Sequence, residues 1–498
     1  MTDRLTGAPL LFIRRESKSR RGFSGPQTEE VRSAIERSRG AQPLWAAESL
    51  ARRVDRLDAL RRVVLLQSET LAHLMTREIG KPLIETLSTD FLATSEGLSV
   101  LARRGPDWLA PRREPRTWMD VLRGVKRFDL FREPLGVVGV LNSGPFSLAH
   151  DVLQLAAALL AGNTVIWKPS PGAPISASAT EDLFRKAGFP PGVFEMIHGD
   201  GAAGETLCRA GVEKLFFTGS AAEGRVLMLA AAEAGTPVVL QSSGKDAALV
   251  FNGADLARAV RGLVWAAFSK AGQNRAAARR IIVEDGVFDL FSALFVEAVA
   301  SLRIGAPEFP DTEIGPLPDE ERVCLLEDLV GEAKKEGARV LLGGRRRSPG
   351  DLCFEPTVLA DVSSAARIAR EEYSGPVVLL SRAADEEEMV RLANDTPGGL
   401  AASVWLSDLS RARAVARKIQ VGTVWINDGG YGADDVRAPF GGTKASGFGR
   451  VHGPEGLAEL TRTLWVESSS ARGGRPHYFP YGEKKWIRLR KWLKWRHP

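Results

Sequence analysis

From Gly136 onward the chain alternates short β-rich runs with helical stretches, and this alternation constrains the fold more than any other feature. Val137–Leu141 is followed by an apolar stretch at helical spacing, Ala149–Ala161, and then by Thr164–Trp167. Val193–Ile197, Lys214–Phe217 and Val238–Gln241 continue the pattern, and each run is followed within two residues by Gly, Pro, Ser or Thr. Strands separated by helices pair in parallel through crossovers, so the expected class is α/β. A second α/β stretch extends from near Ala247 to about Asp428. Before Gly136 the texture differs. Val31 to Arg104 reads as helices, with Leu57, Leu60, Val64 and Leu65 recurring at helical spacing between arginines. There is no internal repeat, and Ser468–Pro476 has the composition of a surface connection.

The 498 residues suffice for two or three domains with large cores. Three cysteines, Cys208, Cys324 and Cys353, are too few and too scattered for a disulfide framework or a zinc site. A reducing compartment, the cytoplasm, is expected. Leu10 to Ile13 is a short apolar run followed by Arg14 and Arg15, the wrong order for a signal peptide, and no later stretch is long and apolar enough to span a bilayer. Seven basic residues and no acidic one lie between Lys484 and Pro498. Without them the formal net charge is 6 − 7 = −1. The basic character therefore belongs to a tail, and nucleic-acid binding by the body is not expected.

The motifs gain meaning from their order. Gly199-Asp200-Gly201-Ala202-Ala203-Gly204 follows one strand, and Thr218-Gly219-Ser220 follows another and opens a helix. Such a helix start can bind a phosphate or can simply be an N-cap. Gly162 to Ser170 places Lys168 at the C-terminal end of a strand, the edge where open α/β sheets bind ligands. Further on come Glu372-Tyr373-Ser374-Gly375-Pro376, Asn394-Asp395-Thr396, Gly422 to Asn427, and Pro439 to Gly447. With Glu78-Ile79-Gly80-Lys81-Pro82, this series resembles the aldehyde dehydrogenase superfamily from about Trp45 to Tyr481.

The resemblance implies a Rossmann-type dinucleotide-binding domain (1–115 and 132–246), an α/β catalytic-type domain (247–430) and a small β-arm for oligomerisation (116–131 and 456–481). It also implies a homodimer or tetramer. Lys168 matches the family's lysine at the adenosine ribose, Ser220, with Gly219 before it, the phosphate-contacting serine, and Glu372 the glutamate at the nicotinamide ribose. Three residues after Lys168, where NAD-preferring members usually carry a glutamate, stands Pro171. Binding of NAD or NADP is therefore expected to be weakened.

The same register predicts altered chemistry. In Phe268-Ser269-Lys270-Ala271-Gly272-Gln273-Asn274-Arg275, Arg275 occupies the position of the family's nucleophilic cysteine. Gln241, in Gln241-Ser242-Ser243-Gly244-Lys245, occupies that of the general base, and Pro145 that of the oxyanion asparagine. A guanidinium is a permanent donor and no nucleophile, Gln241 cannot take a proton, and a proline offers no N–H. Losing the covalent nucleophile alone costs roughly a millionfold in comparable enzymes. No intact catalytic set is expected. Two readings of Arg275 stay open: drift in an idle pocket, or a pocket converted to bind an anionic ligand.

Three functions follow as expectations: a catalytically degenerate sensing or partner subunit, an active NAD(P)-dependent oxidoreductase using a non-cysteine route on aldehydes, and a membrane-surface scaffold. The last rests on the tail, where Trp486, Leu489, Trp492 and Leu493 share a helical face among basic residues. That pattern suits an anionic membrane surface or packing on the protein's own body. His73, His150, His198, His452 and His477 are scattered, and no metal site is expected.

Overall fold

The computed structural model describes residues 26–117, 120, 125–430, 434–469 and 478–496. Leu10–Ile13, His477 and most of the 468–476 connection lie outside the described residues, as do the side chains of Trp492 and Trp495.

Two sheets organise the molecule. The first has six strands in the order β17-β7-β6-β3-β4-β5. These are β3 (Val137–Asn142), β4 (Thr164–Lys168), β5 (Phe194–Met196), β6 (Lys214–Gly219), β7 (Val238–Ser242) and β17 (Gly447–Phe448). All pair in parallel except β17, which lies antiparallel on β7. Strands β3 and β4 are buried along their whole length, which explains why they read as continuous apolar runs and do not alternate. The intervening helix Leu148–Leu160 is buried on every side; it is apolar except for His150, Asp151 and Gln154. Ser147 caps it by accepting from the His150 N–H. From β3 the chain moves to β4 on one side and later returns to β6 on the other. The crevice at the C-terminal ends of β3, β4 and β6 is thus a topological switch point.

The second sheet runs β10-β11-β12-β9-β8-β14-β15. It comprises β8 (Ala247–Val250), β9 (Arg280–Glu284), β10 (Arg339–Leu342), β11 (Thr357–Ala360), β12 (Val377–Ala383), β14 (Ala401–Trp405) and β15 (Thr423–Ile426). Only the β10–β11 pair is antiparallel. Two-residue strands β13 (Gly398–Gly399) and β16 (Thr443–Lys444) pair beside it. A third, antiparallel sheet joins β1 (Arg112–Glu114), β2 (Val125–Pro134) and β18 (Thr461–Ser469).

The strand Phe194–Met196 is one residue shorter at each end than its expected run, while four others run one or two residues further, through buried Asn142, Lys168, Thr218, Gly219 and Ser242. The basic tail forms the helix Glu483–Arg496, and its Trp486, Ile487, Leu489 and Leu493 are exposed. Among the described residues, no helix is long and apolar enough to cross a membrane.

Candidate functional site

The C-terminal ends of the first sheet face the start of β9 and the segment before β12, and two cavities open between them. The outer one has a volume of about 430 Å³ and is lined by Gly219, Ser220, Glu223, Ser243, Arg279, Glu372 and others. The inner one is about 90 Å³ and is lined by Lys81, Glu85, His150, Lys270 and Asp434, among others. Pro145, Gln273, Asn274 and Arg275 border both, so Arg275 stands at their junction. None of the described Cys208, Cys324 and Cys353 borders either cavity. Cys208 and Cys353 are buried, and burial pushes their thiols up to about 12 and about 11. Cys324 is exposed, with its sulfur near Glu320.

The turn that delivers Arg275 is tightly held. Helix Leu256–Phe268 ends in a 3₁₀ turn, Ser269–Gly272, in which Lys270 and Ala271 take left-handed backbone conformations with φ of 55° and 51°. Non-glycine residues adopt that region only when their surroundings enforce it. Here the Lys270 N–H donates to Glu85 at 2.7 Å and its ammonium donates to the Phe146 carbonyl. Arg279 donates to the carbonyls of Gly272 and Gly375, closing the turn from below.

Arg275 itself is partly buried, and its Nη1 donates to Gln241 Oε1 at 3.4 Å. Burial works to lower its pKa, while Asp434 and Asp151 work to raise it. Gln241 is fully buried, does not border either cavity, and spends its amide N–H on the Phe440 carbonyl at 3.1 Å. The Pro439–Gly447 motif thus serves as a cover: β17 pairs Gly447 with Gln241 and seals the strand edge.

On and behind the wall of the inner cavity lies a dense charge cluster that sequence reading missed, because its members come from distant segments. Lys81 pairs with buried Asp90 at 2.6 Å. Burial raises Glu85 to about 7 and lowers Lys270 to about 8. Asp151, which accepts from Asn142, is raised by burial to about 8. Burial, reinforced by Arg275, holds His150 down to about 4. Burial also works to raise the Asp434 carboxyl, but His150, His452 and Arg275 outweigh it and hold it at about 2. The histidines judged scattered in the sequence are not all so in space: His150 and His452 meet beside Asp434, with ring centroids 6.4 Å apart. Lys81 and Lys270 lay inside motifs noted for their resemblance alone.

The expected dinucleotide residues divide between neighbouring spaces. Gly219, Ser220 and Glu372 border the outer cavity. Lys168 borders a third cavity of about 210 Å³ at the switch point, with Asn142, Ser143, Pro171, Asp200 and Glu223. Burial lowers the Lys168 ammonium, against the pull of Glu223 and Asp200. A Cβ on Gly219 would collide with Ser143 Oγ and the Phe217 ring, so only glycine fits that strand end. Ser220 caps helix Ala221–Ala234 in a reciprocal capping box with Glu223. The Glu223 carboxylate accepts from the Ser220 N–H at 3.2 Å and from the Ser143 hydroxyl at 2.8 Å. Glu372 accepts from the Ala221 N–H and the Ser243 hydroxyl. Two carboxylates therefore already hold the helix N-terminus that a pyrophosphate would use.

Comparison with known proteins bears on this geometry. The family model described as "Aldehyde dehydrogenase family" matches residues 22–466. A succinate-semialdehyde dehydrogenase [NADP(+)] of Escherichia coli is 37% identical over 443 residues, covering 88% of this chain and 89% of that protein. A glutarate-semialdehyde dehydrogenase of Pseudomonas putida is 36% identical, covering 88% and 90%. Among solved structures, the NAD+ complex of an aldehyde dehydrogenase from Bacillus cereus superposes with a TM-score of 0.83 at 32% identity, covering 89% of both chains. An E. coli NADP-dependent enzyme superposes with a TM-score of 0.83 at 34% identity, covering 89% and 91%.

Proposed function

Since this chain belongs to the aldehyde dehydrogenase family, we propose that its joined cavities bind a nicotinamide dinucleotide beside a small anionic aldehyde or carboxylate, without a covalent sulfur adduct. The observation that carries the proposal is Arg275 at the junction of the two cavities, with none of Cys208, Cys324 and Cys353 bordering either. A guanidinium at a largely desolvated site binds a carboxylate strongly and bidentately. Lys81 and Lys270 add to that attraction from the inner wall. The names of the relatives point to a ligand class: a short chain with an aldehyde at one end and a carboxylate at the other.

In this reading Lys168, Gly219, Ser220 and Glu372 hold the dinucleotide, which when bound supplies hydride-accepting capacity. Two features support a weakened fit. Pro171 offers no acceptor to a ribose hydroxyl, and Glu223 must swing away before a pyrophosphate can reach the helix N-terminus. The chain then acts as a sensing or partner subunit. A second reading, an oxidoreductase that works on aldehydes, here without a sulfur adduct, is supported by relatives named as succinate-semialdehyde, betaine aldehyde and glutarate-semialdehyde dehydrogenases. Glu85, raised by burial to about 7, supplies a proton acceptor beside the pocket in that case. For the tail, exposed Trp486 and Leu493 among lysines and arginines support contact with an anionic membrane surface. Loss of vesicle co-sedimentation on deleting residues 483–498 tests it.

Calorimetric titration with succinate, NAD and NADP, paired with an absorbance assay using succinate semialdehyde, separates the readings. We expect succinate to bind and Arg275→Met to weaken it by more than about tenfold, as loss of a charge-assisted pair predicts. Succinate affinity indifferent to Arg275 overturns the anion-binding proposal. Steady NADH or NADPH formation from protein free of contaminating dehydrogenase establishes the second reading in place of the subunit role.

A further inference from the structure

Beside Arg275, three side chains from distant segments converge with one ligand atom each. His150 lies in the first turn of helix Leu148–Leu160, Asp434 in the loop before Phe440, and His452 immediately ahead of helix Gly453–Glu459. Their ligand atoms all lie within 4.8 Å of one another. Both histidines are buried, at 3% and 6% exposure. His150 Nδ1 stands 3.8 Å from Asp434 Oδ1, too far for a hydrogen bond. Among the described residues, His150 Nδ1 and His452 Nε2 have no hydrogen-bond partner, although each is shielded from water. A buried polar nitrogen without a partner is costly, and two of them at one carboxylate ask for a shared partner.

We propose that His150, Asp434 and His452 form a binding site for a divalent transition-metal ion. Two imidazoles and one carboxylate are the donor set of zinc, cobalt and non-haem iron sites. The outer nitrogen of His150 is already oriented, since Nε2 lies 3.2 Å from the Thr218 hydroxyl. Such a contact fixes the ring and leaves Nδ1 to bind the ion. Donors about 2.1 Å from a tetrahedral ion stand roughly 3.4 Å apart, so the three side chains need to draw in by about 1 Å. His150 and Asp434 both border the inner cavity, which places the ion's remaining coordination position toward that space. Water, or an oxygen of an anionic pocket ligand, fills it. The neighbouring guanidinium of Arg275 repels a dication, so an anion bridging the ion and Arg275 should tighten metal binding. The site stands on its own residues and not on the dinucleotide.

The test uses the untagged full chain, stripped with chelator and titrated with Co²⁺ by calorimetry and visible absorption, then with Zn²⁺ measured by mass spectrometry after dialysis. We expect one ion per chain, with ligand-field bands appearing in step. His452→Ala and Asp434→Asn should each weaken binding by more than about 100-fold, beyond what loss of an outer partner does. His73→Ala, on an exposed face of helix Leu50–Ile79, should change nothing. Absence of stoichiometric binding in the native chain overturns the proposal, whether or not the variants fold. Binding that survives both substitutions overturns it equally.

Discussion

At the scale of single residues, the pocket is governed by groups whose charge is costly. Asp151 is the sharpest case. Its folded pKa, raised by burial to about 8, lies far above the usual value near 4. Between those values the folded state holds a proton that the unfolded state has lost, so stability falls as pH rises through this window. Asp151→Asn should therefore gain on the native chain by about 1 kcal/mol or more between pH 5 and pH 8, read from denaturant midpoints. A constant difference across that range would contradict the assignment. Glu223 makes a second test. Its carboxylate occupies the start of helix Ala221–Ala234, so Glu223→Gln should tighten NAD or NADP binding by about tenfold in calorimetry. Weaker binding would mean that Glu223 helps the coenzyme. The identities of Arg275, Gln241 and Pro145 were plain in the sequence. That Gln241 is locked onto the Phe440 carbonyl and kept out of the cavities was not, because it depends on a strand closing over it from some 200 residues away.

At the scale of elements, local pattern and tertiary context divide the work. The buried strands Val137–Asn142 and Thr164–Lys168 and the helix between them were legible because parallel sheets bury both faces. The 3₁₀ turn before Arg275 was not legible. Nothing in Ser269-Lys270-Ala271 announces two left-handed residues; Glu85, Phe146 and Arg279 impose them from elsewhere. Ala271→Gly should relieve part of that strain and raise stability by about 1 kcal/mol, measured by equilibrium unfolding. A loss of that size would show that the turn is not strained. The convergence of His150 and His452 was equally hidden, since 302 residues separate them and neither sits in a metal-binding spacing.

At the scale of the whole molecule, the two mainly parallel sheets and the three-stranded antiparallel sheet leave one long edge among the described residues. Strand Thr461–Ser469 pairs only with β2 among the described residues, and Trp465 is exposed beside Phe128. An exposed edge with an aromatic is an invitation to pair with another chain. We expect light scattering to give a dimer or tetramer, and Trp465→Asp to shift it toward monomer; a native monomer would remove this expectation. The sequence conveyed the layered α/β architecture because that rests on periodicity, whereas assembly rests on surfaces that periodicity does not describe.

In the proposed function the Arg275 guanidinium stands where a sulfur nucleophile would attack, and Gln241 stands where a base would act. The most direct test of this reading compares NADH or NADPH formation from succinate semialdehyde by the native chain and by the Arg275→Cys, Gln241→Glu double variant. No thiol-dependent turnover is expected from the native chain, and measurable turnover, sensitive to a thiol reagent, is expected from the variant. A native chain whose turnover is abolished by thiol alkylation, or a well-folded double variant with none, would contradict it.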